Sequence, residues 1–264
     1  MGYNIPMKVE GRLGLPTREA SSAIFSHPDN IGLRIPASEV SAESVDSPVI
    51  RNIVFDLLRV AGANVKKEAI PNSRYMVGLH ARQLGFGENV MVVVWNANAS
   101  AKDNPEGWQP LFRAFINPKI TEKSDEINFD NPEGCFSVDQ NISGIIPRYD
   151  SVTLDALEVD LETFISKGEI KVTDVRQQSP NKFISRVIQH EVDHGLGKLF
   201  PHHATEDEGA LCVITDRDEF FRYRASEKTN ISPRLIGEVT APGTRPLLAE
   251  ERERLRNNSA PFNN

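Results

Sequence analysis

The sequence predicts an α+β fold, with strands gathered in the middle of the chain and helices toward both ends. Three patterns predict it. Val49-Ile50, Ile53-Val54 and Leu57-Leu58 recur at the spacing of one helix face, which places a helix over about 47–62. Val90 to Trp95 is an unbroken run rich in β-branched residues and reads as a buried strand; Val152 to Val159 alternates apolar with polar side chains and reads as a half-exposed one. Phe183 to Leu196 returns to helical spacing.

The other elements follow in chain order. Met1 to Ser26 has little periodicity and reads as an extension. Leu111 to Ile116 predicts a second central strand. Asp130 to Gly134 contains Asn131-Pro132 and a glycine, and reads as a turn. Ala210 to Ile214 is an apolar run around Cys212, expected to be buried in a strand or at a helix edge. Past about residue 225 the pattern thins, although Leu247 to Arg256 has the composition of a short charged helix. No internal repeat is present. The expected organisation is an extension over 1–25, one domain over 26–224 and a second extension over 225–264.

Composition narrows the functional classes. A chain of 264 residues can bury a full core, and 39% hydrophobic with 25% charged residues is ordinary for a globular protein. A net charge of −7 disfavours nonspecific binding to nucleic acid or an anionic membrane. No apolar run approaches the ~20 residues of a membrane span. Neither a secretory signal nor a clear transit peptide opens the chain. Met1-Gly2 begins like a myristoylation motif, but Pro6 takes its Ser/Thr position. These features predict a cytoplasmic protein, with organellar targeting left open. Two cysteines, Cys135 and Cys212, fit a reducing compartment.

The chemistry concentrates in His190-Glu191-Val192-Asp193-His194. On a helix, residues four apart share a face, so both imidazoles can reach one metal ion, with Glu191 beside them as a general base. The chain has only six histidines, which argues against a chance match on an amphipathic helix. A third protein ligand is needed. Phe200 stands where one class of zinc proteases places a third histidine, which removes that reading. Spacing leaves Asp216 or Glu219 downstream and Cys135 upstream as candidates. The thiolate of Cys135 would be a strong ligand for zinc or ferrous iron.

Three blocks together resemble the peptide deformylase family: Met76-Val77-Gly78-Leu79-His80-Ala81-Arg82-Gln83, Glu133-Gly134-Cys135-Phe136-Ser137, and His190 to His194. The family patterns are G-x-G-x-A-A-x-Q, E-G-C-x-S and H-E-x-D-H. Pro28-Asp29, Leu33-Arg34, Phe115 to Pro118 and Pro147-Arg148 with Val152 to Leu154 extend the likeness over about 25–205. The resemblance implies a deformylase-like fold, with antiparallel and mixed strands around a central metal-binding helix. It implies a metal held by Cys135, His190 and His194, and Fe2+ in the cell, with Zn2+, Ni2+ or Co2+ as substitutes. It implies hydrolysis of the formyl group from N-formyl-methionyl peptides, with a transient ribosome contact. By the same resemblance Glu191 is the base, while the Gln83 amide and the Phe136 backbone N–H stabilise the oxyanion. Gly78 and Gly134 would let an extended peptide approach the backbone. Glu133 and Asp193 would support the ligands.

The chain departs from the family at several positions. Met76 replaces a frequent glycine, His80 a small residue, Arg82 a residue that is often proline, Phe136 the common leucine, and Gly195 a leucine after the third block. His80 either narrows the substrate groove or packs behind its strand. His202 and His203 read as surface residues of a polar loop. Two alternative functions stay in view: an amide hydrolase of another formylated or acylated substrate, and a non-catalytic binding protein on this fold.

Overall fold

Proline has no N–H to lose at the first turn of a helix, and helix α1 (Pro48–Gly62) begins on one. It buries Ile50, Ile53, Val54, Leu57, Leu58 and Ala61; of the residues whose spacing predicts this face, Val49 alone is exposed. This arrangement comes from a computed structural model that describes residues 31–62, 76–98, 110–129, 132–138, 142–203, 211–216, 218–220 and 243–259. The N-terminal extension and Pro28-Asp29 lie outside the described residues. After α1 come strands β1 (Gly78–His80), β2 (Val90–Val94), β3 (Phe112–Lys123), β4 (Ile127–Asn128), β5 (Pro132–Glu133), β6 (Ile142–Ile145), β7 (Arg148–Tyr149) and β8 (Val152–Val159). Helix α2 (Leu161–Lys167), strand β9 (Val172–Gln178) and helix α3 (Lys182–Gly195) follow, then β10 (Leu211–Ile214), β11 (Thr244–Pro246) and helix α4 (Ala249–Ser259).

The largest sheet runs β1-β2-β3-β8-β9, antiparallel throughout. Every residue of β2 is buried, as its unbroken apolar run predicts, and both α1 and α3 pack on β1 and β2. Side chains alternate along a strand. On β1 this turns Gly78 and His80 toward α3, where they meet Glu191 and Gly195, and Leu79 toward the opposite face. Strand β3 runs beyond the predicted Ile116 by way of a register shift before Lys119. Asn117 makes the shift at φ 53°, a left-handed conformation that asparagine tolerates. Its amide donates to Val40 O and accepts from Val40 N, both at 2.8 Å.

A second sheet runs β11-β10-β6-β5, and β4 pairs with β7. The turn expected at Asp130–Gly134 is in part a strand. Pro132 and Glu133 pair with Ile145 and Gly144, and Pro132 is tolerated because it opens a two-residue edge strand. Asp130 and Asn131 lie outside the described residues. Cys212 is buried in β10, and both cysteines are free thiols. The segment expected as a C-terminal extension supplies β11 and α4. Leu247 and Leu255 are buried in one cluster with Leu33, Val138, Leu199 and Phe200, and Arg34 Nη1 donates to Asn257 O at 2.6 Å.

This docking generates a stability prediction. Leu255→Ala removes a side chain that is 7% exposed from the small core. It should lower unfolding free energy by about 2–4 kcal/mol, read as a lower urea midpoint at unchanged slope. An unchanged midpoint would mean that α4 does not pack as described.

Candidate metal centre and active site

Helix α3 presents the site. Asn181 caps it by accepting from Ile184 N at 2.9 Å. The run from Ile184 to Gly195 is buried except for His190, which is half-buried. The imidazoles of His190 and His194 lie edge to face with centroids 5.0 Å apart, as a four-residue spacing requires. Cys135 reaches them from the loop after β5, its Sγ 3.3 Å from His194 Nε2. One ligand atom from each of Cys135, His190 and His194 falls within a span of 4.8 Å. Among the described residues this is the group whose geometry suits a metal ion. Asp216 and Glu219 do not join it. The Asp216 carboxylate accepts from Glu219 N at 2.9 Å, beside Gly243 in another part of the fold.

Behind the ligands is a buried ionic network. Glu133 Oε2 lies 2.9 Å from His190 Nδ1, which leaves Nε2 to face Cys135. The same carboxylate takes two hydrogen bonds from Arg148, at 2.8 and 2.9 Å, and one from Arg186 at 2.8 Å. Arg148 also donates to Asp193 at 2.6 Å, and Arg186 to Asn128 Oδ1 at 2.7 Å. Burial pushes the pKa of Glu133 up, but Arg148 and His190 hold it well below the usual carboxylate range. Burial opposes charge on His190, yet hydrogen bonds to Cys135 and Glu133 raise its pKa well above the ordinary value. Burial and the neighbouring charge of His190 drive His194 the other way. Phe200 stacks on the His190 ring at 6.3 Å between centroids.

Glu191 sits one residue past the first ligand and is 3% exposed. Burial, reinforced by the neighbouring carboxylates of Glu133 and Asp193 against His190 and Arg148, raises its pKa to about 7. Its Oε2 has no hydrogen-bond partner among the described residues. A Cβ on Gly78 would lie 2.5 Å from Glu191 Oε1 and 2.7 Å from Val187 Cγ1. The Glu191 carboxylate thus lies on the side of Gly78 where a side chain would project. Gly134 is exposed, and a Cβ there would meet only Ile142 O at 3.9 Å.

Gln83 is buried in the 3-10 turn Ala81–Leu84. Its Oε1 accepts from His80 N at 2.8 Å and its Nε2 donates toward Cys135 Sγ at 3.5 Å. Phe136 exposes half its side chain beside Cys135, and Ser137 N donates to Cys135 Sγ at 3.4 Å. His80 is fully buried behind its strand rather than in a groove, and burial lowers its pKa to about 4. Arg82 is half-buried and donates to Gly32 O and Phe86 O, and Met76 packs on the main core. His202 is exposed as expected. His203 is not a free surface residue: its Nε2 lies 3.0 Å from Asp193 Oδ2.

The sequence reading assigned no role to Arg148, Arg186, Asn89 or Phe200. Arg148 appears in the resemblance as part of Pro147-Arg148, but an arginine on a strand reads as solvated until the fold places two acids against it.

The polypeptide deformylase family profile matches residues 22–209. A peptide deformylase of Limosilactobacillus reuteri is 34% identical over 134 residues, 50% of this chain and 62% of that protein. The chain thus spans less than two thirds of that relative. A peptide deformylase of Blochmanniella pennsylvanica is 32% identical over 181 residues, 68% of this chain and 82% of that protein. In fold the chain is similar to the class I type b peptide deformylase of Acinetobacter baumannii solved with Met-Ala-Ser bound. The TM-score is 0.52 at 24% identity, covering 68% of this chain and 96% of that structure. The chain belongs to the polypeptide deformylase family.

Proposed function

We propose that the chain is a metal-dependent hydrolase that removes the formyl group from the N-terminal methionine of nascent polypeptides. The observation that carries this reading is the convergence of Cys135, His190 and His194 on one point beside a buried, half-unpartnered Glu191. One sulfur and two imidazole donors suit zinc or ferrous iron. Family resemblance favours ferrous iron in the cell, and two free thiols fit a reducing cytoplasm. A divalent ion held by these three residues supplies a Lewis acid that lowers the pKa of water and polarises a carbonyl oxygen.

The protein's own groups do the remainder. Water adds to the formyl carbon, and Glu191 accepts the proton that it loses. A pKa near neutrality suits both that acceptance and the later return of the proton to the departing amine. The C–N bond breaks, leaving formate and a free methionine N-terminus. Negative charge develops on the formyl oxygen, where Gln83 Nε2 and the Phe136 N–H are the donors. Gln83 is suited to this because its Oε1 is already committed to His80 N, which aims the Nε2 end at Cys135. Gly134 stands open to solvent and leaves room for an extended peptide beside the cysteine. A different substrate was suggested by His80. Its burial and its bonds to Asn89 and Arg82 remove the observation that favoured that reading.

The direct test is anaerobic hydrolysis of formyl-Met-Ala-Ser by protein loaded with Fe, Ni or Zn. One ion per chain is expected, lost in each of Cys135→Ala, His190→Ala and His194→Ala. Glu191→Gln should keep the ion and lose turnover by about 10²–10⁴-fold. Full metal occupancy in Cys135→Ala, or near-normal turnover in Glu191→Gln, would refute the assignment. A second prediction concerns Gly78. Gly78→Ala places a methyl against the Glu191 carboxylate and should lower kcat/KM by about 10²-fold with metal content unchanged. Unaltered kinetics would show that the carboxylate does not need that space.

A further inference from the structure

His80 is where the chain departs most visibly from its family, and its ring is bonded at both ends. The backbone N–H of Arg82 donates to Nδ1 at 3.1 Å. That nitrogen is therefore unprotonated and Nε2 carries the hydrogen. Nε2 lies 3.1 Å from Asn89 Oδ1, which accepts it. Asn89 is itself fixed by its backbone, whose N–H donates to Ser38 O at 2.9 Å and whose carbonyl accepts from Asn117 N at 2.8 Å. The ring is thus a strut between an anchored loop and the 3-10 turn Ala81–Leu84. The turn is closed reciprocally: the His80 side chain takes the Arg82 N–H while the Gln83 side chain takes the His80 N–H.

Room for the strut comes from α3. A Cβ on Gly195 would lie 3.0 Å from Asn89 Oδ1 and 3.1 Å from His80 Nε2. Such contacts are tight enough that the His80 ring or the Asn89 amide would have to give by a few tenths of an ångström. The histidine at 80 and the glycine at 195 are therefore one packing solution, a large side chain on β1 fitted against a missing one on the helix.

We infer that His80 is a positioning residue for Gln83. By capping the turn and tying it to Asn89, the ring holds the Gln83 amide aimed at Cys135, and the missing side chain of Gly195 leaves room for the ring. The kinetic part of this inference rests on the deformylase reading.

The experiment combines His80→Ala, His80→Asn and Asn89→Ala with Gln83→Ala in metal-loaded protein. Asparagine can still accept from Arg82 N as a cap, whereas alanine cannot. Two readouts are taken: kcat and KM for formyl-Met-Ala-Ser, and the Gln83 side-chain amide signals in a 1H–15N spectrum of zinc-loaded protein. His80→Ala should lower kcat about tenfold with little change in KM, since it misplaces a donor without deleting it. His80→Asn should restore most of that loss, and Asn89→Ala should reproduce part of it. In the Gln83→Ala background His80→Ala should have no further effect. The Gln83 amide pair should move toward solvent-exposed values in His80→Ala and return in His80→Asn. An equal kcat loss in both backgrounds, or an unmoved Gln83 amide pair in His80→Ala, overturns the inference. If the parent protein does not deformylate the peptide at all, the functional reading fails, and the amide signals alone decide the positioning claim.

Discussion

The Glu133 carboxylate is the constraint around which the site is built. It is 6% exposed and sits among Arg148, Arg186 and the His190 ring. A buried carboxylate without partners would cost several kcal/mol, so its partners must arrive together. They come from different elements: Glu133 from β5, Arg148 from β7, and Arg186, His190 and Asp193 from α3. Two acids there face two guanidinium groups and the His190 ring. The same bonds fix how the edge of the second sheet meets the helix, and Cys135 lies only two residues past Glu133. Satisfying the buried charge therefore brings the sulfur to the histidines. Removing one partner of such a pair costs about 3–5 kcal/mol, far more than a surface ion pair contributes.

The helix then divides its work by residue. His190 turns toward Glu133, Glu191 toward Gly78, and His194 toward Cys135. Each neighbour has a consequence for protonation. Paired charge holds Glu133 ionised, while burial lifts Glu191 to about 7. The two carboxylates of one site thus shift in opposite directions, Glu133 by its paired charges and Glu191 by its burial. Phe200 links this centre to the small core that contains Leu247 and Leu255, so the segment after residue 242 braces the ring of His190 at one remove.

Much of this was legible in the sequence, for physical reasons. Helices α1 and α3 and strands β2 and β8 were readable because each buries a face or is buried throughout, and burial imposes period. Strand β9 was not, because it is an edge strand whose residues are mostly exposed or half-exposed. Helix α2 has only seven residues and is defined by its Asp160 cap and the left-handed Gly168. In the site, Cys135, His190, His194, Glu191 and Gln83 were named from motifs, and the fold brings them together. What lies against the missing side chain of Gly78 was not legible, because only the packing of β1 against α3 shows it. Arg148 was visible only as part of Pro147-Arg148 and Arg186 not at all, since charge alone does not reveal burial.

Glu133 fixes the orientation of the His190 ring and so which ring nitrogen faces Cys135. Long-range 1H–15N correlation of the His190 ring in zinc-loaded protein tests it directly. The expected result is a slowly exchanging proton on Nδ1, hydrogen-bonded to Glu133, and no proton on Nε2. A spectrum with the proton on Nε2 and a bare Nδ1 would contradict it.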